Sequence, residues 1–355
     1  MRIKKHIVNI GNIAIGGEEK IAIQTMYSLP LKPLSNKEWY EELLFTLRSY
    51  ATMGCDIVRF SYPSRDHEET FRAICKDSPL PVVADIHFDY ELAKEAILCG
   101  AHKIRINPGN IGAKWKVKEV VELAKDRNVA IRIGLNGGSL PLSKRNEDPV
   151  KAMVETALEY ASWLESWNFK QTVLSVKHTD VEHTYNSYAS LASLCDYPLH
   201  LGVTEAGSIV SAVTRSTWAL GRLLSQGIGD TMRISISDDN IYEIAAAKEI
   251  LRTVGREKGG IHLISCPKCG RSTFDSSGFV KKIEHKLLSI QSDLTVAIMG
   301  CQVNGPGEAA SADIAITGIG NKAFLYVKGK LVKEVNERDA EEVLFRYIQE
   351  MIDAQ

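Results

Sequence analysis

Cys266 and Cys269 stand in Ser265-Cys266-Pro267-Lys268-Cys269-Gly270-Arg271. Cys301 follows in Met299-Gly300-Cys301-Gln302-Val303-Asn304-Gly305-Pro306-Gly307-Glu308. A lone C-x2-C pair serves structural zinc, redox disulfides and iron–sulfur clusters alike. Structural zinc normally takes four Cys or His ligands. Here the third thiol has no second cysteine beside it, and His262 is the only histidine close before the pair. A thioredoxin-type dithiol has no use for Cys301. Three thiolates without a fourth suit an iron–sulfur cluster with one iron open or weakly held, as catalysis at that iron requires. Glu308 is the nearest candidate for that fourth position. By spacing alone, a capping or surface carboxylate is the plainer reading of it.

A second set of polar residues recurs where short apolar runs end. Arg59 closes Asp56-Ile57-Val58-Arg59, and Asp85 and His87 close Ala84-Asp85-Ile86-His87-Phe88. Arg105 and Asn107 precede Pro108-Gly109-Asn110, and Arg132 and Asn136 precede Gly137-Gly138-Ser139. Lys177, Glu205, and Arg233 with Ser235 end three more runs. Taken singly, each cation reads equally well as half of a surface ion pair, and such pairs contribute little. His87 alone reads as a hydrogen-bonded structural histidine; two residues after Asp85 on a strand, it would share that residue's face. Glu205 could pair an arginine or donate a proton whose pKa its neighbours set.

The elements that would gather these residues are short. Eight β-rich runs are expected at Ile21–Met26, Asp56–Ser61, Val82–His87, Lys103–Asn107, Ala130–Asn136, Thr172–His178, Leu199–Glu205 and Thr231–Ser237. Helical spacing separates them, as in Trp39, Leu43, Leu44, Leu47 and Tyr50. Alternating strands and helices imply parallel β/α units, and eight of them make a (β/α)8 TIM barrel. A doubly wound sheet is the alternative, but no early G-x-G-x-x-G follows a strand. Ile7–Ile15 suggests a small hairpin that plugs the barrel's bottom. Gly255–Gly260 is the expected boundary. It divides a barrel over 1–255 from a small α+β domain over 260–355, with a helix near Phe279–Ile290, a strand at Leu294–Met299, further short strands and a closing helix.

In a barrel the carboxyl ends of the strands form the active rim. Arg59, Arg105, Arg132, Lys177 and Arg233 would converge there, with Asp85, Glu205 and Glu308 too few to balance them. Close, desolvated like charges call for an anionic ligand, and arginine's paired donors suit a diphosphate. The glycine-bearing loops after Asn107 and Asn136 add backbone donors. A net charge of −1 gives no sign of a nucleic-acid-binding face, and no apolar run reaches membrane-spanning length. The basic opening stretch lacks the apolar core of a signal peptide, and the seven cysteines are odd in number. A reducing, cytoplasmic compartment is therefore expected, in which Cys55, Cys75, Cys99 and Cys195 act as small buried hydrophobes.

Together these motifs resemble the 4-hydroxy-3-methylbut-2-enyl diphosphate synthase family, also called IspG or GcpE. The resemblance runs through Ile23-Gln24-Thr25-Met26, Gly202-Val203-Thr204-Glu205-Ala206-Gly207, Gly229-Asp230-Thr231-Met232-Arg233-Ile234-Ser235 and the motifs already quoted. It implies a TIM barrel followed by a small domain resembling the nitrite/sulfite reductase module, which holds a 4Fe-4S cluster. The implied reaction reductively opens 2-C-methyl-D-erythritol 2,4-cyclodiphosphate to 4-hydroxy-3-methylbut-2-enyl diphosphate with loss of water, using two electrons from ferredoxin or flavodoxin. It places cluster ligands at Cys266, Cys269, Cys301 and Glu308. Substrate contacts fall at Arg59, His87, Arg105, Asn107, Arg132, Asn136, Lys177, Arg233 and Ser235, with Asp85 and Glu205 as acid/base candidates. It further implies a homodimer in which the cluster domain of one chain closes over the barrel of the other. The chain departs from the family pattern at His178-Thr179, after Lys177, and again beyond Ser235. The rival expectation is non-redox: a phosphate-binding barrel with a structural zinc module.

Overall fold

The computed structural model describes residues 5–140, 144, 146–204, 207–257, 259–270, 272–301 and 305–354. The chain divides into two units, Met1–Glu257 and Lys258–Gln355.

The first unit opens with an antiparallel hairpin of β1 (Val8–Ile10) and β2 (Ile13–Ile15). Gly11 takes φ +59° at the first turn position, as a tight two-residue hairpin of this hand requires. A Cβ there would also lie 2.7 Å from the His102 ring. Eight parallel strands follow: β3 (Ala22–Met26), β4 (Ile57–Ser61), β5 (Val82–Asp85), β6 (Lys103–Ile106), β7 (Ala130–Asn136), β8 (Thr172–Lys177), β9 (His200–Leu201) and β10 (Thr231–Met232). Each pairs with its sequence neighbour from β3 to β8, and β10 pairs with both β3 and β9. A parallel bridge from Leu174 to Leu199 joins β8 to the residue before β9 and completes the ring. This is the expected eight-stranded barrel.

The floor is apolar. Val8, Ile10 and Ile15 of the hairpin pack against Ala22, Ile57, Val83, Ala130 and Val173 at the start of five strands. The expected plug is therefore present. Outer helices form for ordinary reasons. In Lys37–Thr52, Asn36 caps the backbone N–H of Trp39 at 3.1 Å. Trp39, Leu43, Leu47 and Tyr50 make one buried stripe, and each fully buried leucine contributes about 1.5–3 kcal/mol.

Three expected strands run too long. β5 stops at Asp85, two residues before His87, and β9 and β10 are only two residues each. Beyond them the ladder gives way to isolated bonds such as Arg233 N–H to Leu201 O and Ser237 N–H to Gly207 O. The chain leaves the sheet where it becomes the rim.

The second unit is a five-stranded mixed sheet. β11 (Ile261–Ser265), β12 (Leu294–Met299) and β13 (Ile314–Ile319) are parallel, β14 (Lys322–Val327) pairs antiparallel with β13, and β15 (Lys330–Asn336) pairs antiparallel with β14. Helices Ser276–Leu288 and Ala340–Asp353 cover one face through Phe279, Ile283, Leu287, Val343, Leu344 and Ile348. β11 and the short helix Gly305–Ser311 have no counterpart in the sequence reading. Among the described residues no helix is long and apolar enough to cross a membrane.

Candidate active site

Register decides which side chains face the barrel interior. Partnered residues on neighbouring strands share a face, and alternate residues along a strand return to it. The plug contacts fix Ile57, Val83, Ala130 and Val173 as inward. Arg59 lies two residues beyond Ile57. Asp85 and Lys103 follow from Val83, and Arg105 pairs with both Asp85 and Arg132. Asn136 pairs with Lys177 at the top. The interior is thus apolar at its floor and cationic above.

Two carboxylates answer part of that charge. Asp85 lies 3.6 Å from Arg59 Nε and 3.2 Å from Arg105 Nη1. Arg105 Nη2 also donates to Gly134 O at 3.0 Å. Glu243, on helix Asn240–Thr253, accepts from Arg233 Nη2 at 2.7 Å and Nε at 3.0 Å. Arg132, 2% exposed, and Lys177, 6% exposed, pair with no carboxylate among the described residues. Among the described residues the buried Nε of Arg132 has no hydrogen-bond partner. Burial, then the neighbouring Arg59 and Arg105 charges, push Arg132 well below its ordinary pKa. Burial, then Arg132 and Arg233, do the same to Lys177. A guanidinium keeps its proton regardless, so at Arg132 the cost persists as a demand for an anion. Burial alone would raise the Asp85 pKa, but Arg59, Arg105 and Arg132 together bring it down to about 2.

Glycines give these long side chains their room. A Cβ at Gly134 would lie 2.5 Å from Arg105 Nε, and one at Gly202 would collide with Lys177 Nζ. His87 lies past the end of β5 and is exposed. Asn107 is buried and accepts from Gly109 N–H at 3.2 Å. Asn136 and Ser235 are half-buried at the rim. Glu205 lies outside the described residues.

The cysteines gather at one end of the second sheet. β11 and β12 pair in parallel up to Ser265↔Ile298, and Cys266 N–H donates to Ile298 O at 3.0 Å. Cys301 follows β12. Ser272 ties the two segments: its N–H donates to Cys269 O at 2.9 Å and its hydroxyl to Gly300 O at 2.9 Å. Lys268 takes φ +70° inside the C-x2-C turn. None of the three cysteines forms a disulfide among the described residues, and Cys301 is buried, Cys266 half-buried and Cys269 exposed. Glu308 lies in the first turn of Gly305–Ser311 and is half-buried. Donor type and placement at one sheet end fit an iron–sulfur cluster. Among the described residues no three such side chains are already drawn into a cage. Elsewhere, burial pushes the Cys55 thiol to about 12 and Cys99 to about 11, so they remain protonated.

The GcpE TIM-barrel domain matches residues 5–248, and the GcpE protein C-terminal domain matches residues 262–350. The chain belongs to the GcpE family. The 4-hydroxy-3-methylbut-2-en-1-yl diphosphate synthase (flavodoxin) of Clostridium acetobutylicum is 41% identical over 353 residues, covering 99% of each chain. The protein of the same name from Caldicellulosiruptor saccharolyticus is 44% identical over 345 residues, covering 96% of this chain and 97% of its own. A truncated 3-deoxy-D-arabino-heptulosonate 7-phosphate synthase from Thermotoga maritima superposes with a TM-score of 0.50 at 11% identity, over 71% of this chain and 92% of that one. That likeness is one of fold alone.

Within this GcpE-family barrel, three interior polar residues escape sequence reasoning. Lys103 is fully buried and donates to Gln24 Oε1 at 3.1 Å. His200 is fully buried, and desolvation with the surrounding cations holds it far below its ordinary pKa, so the ring is neutral. Glu243 carries the Arg233 pair. Lys103 had a usable signal, standing two residues before Arg105 on one strand; Glu243 sits in a helix with no motif around it. Neither family match supports the zinc-module rival.

Proposed function

We propose that this chain is an oxidoreductase that converts 2-C-methyl-D-erythritol 2,4-cyclodiphosphate to 4-hydroxy-3-methylbut-2-enyl diphosphate by reductive ring opening and dehydration. The observation that carries the reading is that Arg132 and Lys177 are buried inside a GcpE-family barrel with no carboxylate partner among the described residues. A doubly phosphorylated ring supplies the missing anion, and relatives over 40% identical are named for a diphosphate product.

In this reading residues 1–255 bind substrate and residues 260–355 hold a 4Fe-4S cluster. Arg59, Arg105, Arg132, Lys177 and Arg233 take the phosphate oxygens, with His87, Asn107, Asn136 and Ser235 supplying neutral donors. Breaking a carbon–oxygen bond to phosphate leaves charge on that oxygen, and donors fixed beforehand stabilise it most. Asp85 is a poor proton donor near neutrality, because a carboxyl near pKa 2 is already ionised. Its place is to anchor Arg59 and Arg105. Glu205 is then the acid that delivers a proton to the departing hydroxyl. Cys266, Cys269, Cys301 and Glu308 would hold the cluster. Once bound, it supplies the two electrons in single steps, received from flavodoxin, or from ferredoxin as an alternative donor. A cytoplasmic homodimer completes the proposal, and mixing an Arg132 variant with a Cys301 variant tests it. Recovered turnover in the mixture supports a site shared between chains, and none argues against it.

Metal analysis after anaerobic purification separates this function from its rival. The expected result is brown protein with about four irons per chain. Colourless protein with about one zinc would overturn the cluster and favour a structural zinc module.

A further inference from the structure

Arg233 is held from behind by a carboxylate that no sequence motif announces. Glu243 accepts Arg233 Nε on Oε2 at 3.0 Å and Nη2 on Oε1 at 2.7 Å. The Thr25 hydroxyl donates to Oε2 at 2.7 Å, and the Ile236 N–H to Oε1 at 3.3 Å. Four donors therefore fix a carboxylate that is fully enclosed, its side chain 1% exposed against 15% for Arg233. Thr25 belongs to β3, Ile236 to the chain beyond β10, and Glu243 to the following helix, so the clamp is tied to three separate pieces of the barrel wall.

The edge that Glu243 uses matters. A guanidinium presents five N–H donors in a rigid plane. Glu243 occupies the side edge, Nε with one hydrogen of Nη2. Both Nη1 hydrogens and the second Nη2 hydrogen remain, and this end edge is the fork that meets two phosphate oxygens in parallel. The charge of Arg233 reaches both Arg59 and Lys177, so the arginine lies within range of the mouth. An arginine without the clamp would have to lose the freedom of its long side chain on binding.

We propose that Glu243 is a positioning residue that holds Arg233 side-on and presents its end edge to a bound diphosphate. This rests on the reading of Arg233 as a substrate contact. It adds that the contact is pre-organised by a buried partner.

The test measures calorimetric binding of inorganic diphosphate to the cluster-loaded enzyme, alongside steady-state kinetics with the cyclic substrate. Glu243→Gln, Arg233→Met and their double variant are compared. Glu243→Gln is expected to weaken diphosphate binding and raise KM about tenfold or more, with kcat changing less, since a charge-assisted bond is replaced by a neutral one. The double variant is expected to match Arg233→Met within about twofold, because Glu243 acts through Arg233. If Arg233→Met weakens binding while Glu243→Gln does not, the positioning role fails and the Arg233 contact stands. If Arg233→Met leaves diphosphate binding unchanged, the underlying reading of Arg233 fails. Losses that multiply in the double variant would make Glu243 a merely structural residue. Thr25→Val keeps both charges and removes one donor to Oε2. It is expected to raise KM about two- to fivefold, and if Glu243→Gln does not fold, an unchanged KM in Thr25→Val overturns the proposal.

Discussion

Replacing Lys177 by methionine separates two costs that the barrel mouth carries together. Lys177 is 6% exposed, faces Arg132 and Arg233, and pairs with no carboxylate among the described residues. An ion held this way loses several kcal/mol of hydration with no carboxylate among the described residues to repay it. Methionine fills the same unbranched channel beside Gly202 without the charge. The substrate-free holoenzyme should therefore become more stable, by about 1–4 kcal/mol. At about 2 °C per kcal/mol for a chain of this size, the melting midpoint rises by about 2–8 °C. The same change removes a charge-assisted bond to phosphate worth about 1.5–3 kcal/mol, so KM should rise about 10- to 150-fold. The sign with pH follows. A lysine whose folded-state pKa lies below its ordinary 10.5 burdens the folded protein at low pH. That burden lifts as pH climbs from the folded value toward 10.5. Wild-type stability without substrate should rise over that range, and the Lys177→Met variant should lack the rise. Scanning calorimetry with and without substrate, plus initial rates, reads all three effects. A variant that melts lower than wild type and keeps its KM would refute the claim that Lys177 is an uncompensated cation awaiting an anion.

Three further outcomes are expected. Asp85 has its folded pKa depressed to about 2 from 3.8, so its contribution is present above 3.8 and lost as pH falls through 2. Acid unfolding of wild type should show about 2 kcal/mol lost across that window that Asp85→Asn does not show. Gly134→Ala places a methyl where Arg105 Nε now lies, 2.5 Å away. Its expected effect is a raised KM with unchanged iron content, and an unaltered KM would mean that Arg105 can move aside freely. Cys301→Ser should give a soluble protein with its visible absorption and iron largely gone; full iron retention would remove Cys301 from the ligand set.

The barrel was legible because its signals are local and repeated. Eight apolar runs alternate with amphipathic helices, and register follows once the plug residues Ile57, Val83, Ala130 and Val173 are known to face inward. The cationic interior was legible for the same reason, since Arg59, Arg105, Arg132 and Lys177 lie on strands that a barrel must converge. What escaped depends on tertiary packing. Glu243 reaches Arg233 only because helix Asn240–Thr253 lies against β3, where Thr25 meets it. β11 is a half-exposed edge strand after a glycine-rich stretch, and its short run Ile261–Ser265 lacks the burial that marks β12. Gly305–Ser311 reads as loop from its glycines and proline, yet forms about two turns of helix that carry Glu308. His87 shows the limit of a face argument: the two-residue rule holds only while the strand lasts, and β5 ends at Asp85.

The most direct measurement follows the substrate itself. Anaerobically purified enzyme is supplied with reduced flavodoxin and 2-C-methyl-D-erythritol 2,4-cyclodiphosphate, and the phosphorylated products are resolved by phosphorus NMR. The cyclic diphosphate signals are expected to give way to those of 4-hydroxy-3-methylbut-2-enyl diphosphate, with two electrons consumed per product. Unaltered cyclic substrate in the presence of a fully loaded, reduced enzyme would contradict the proposed function.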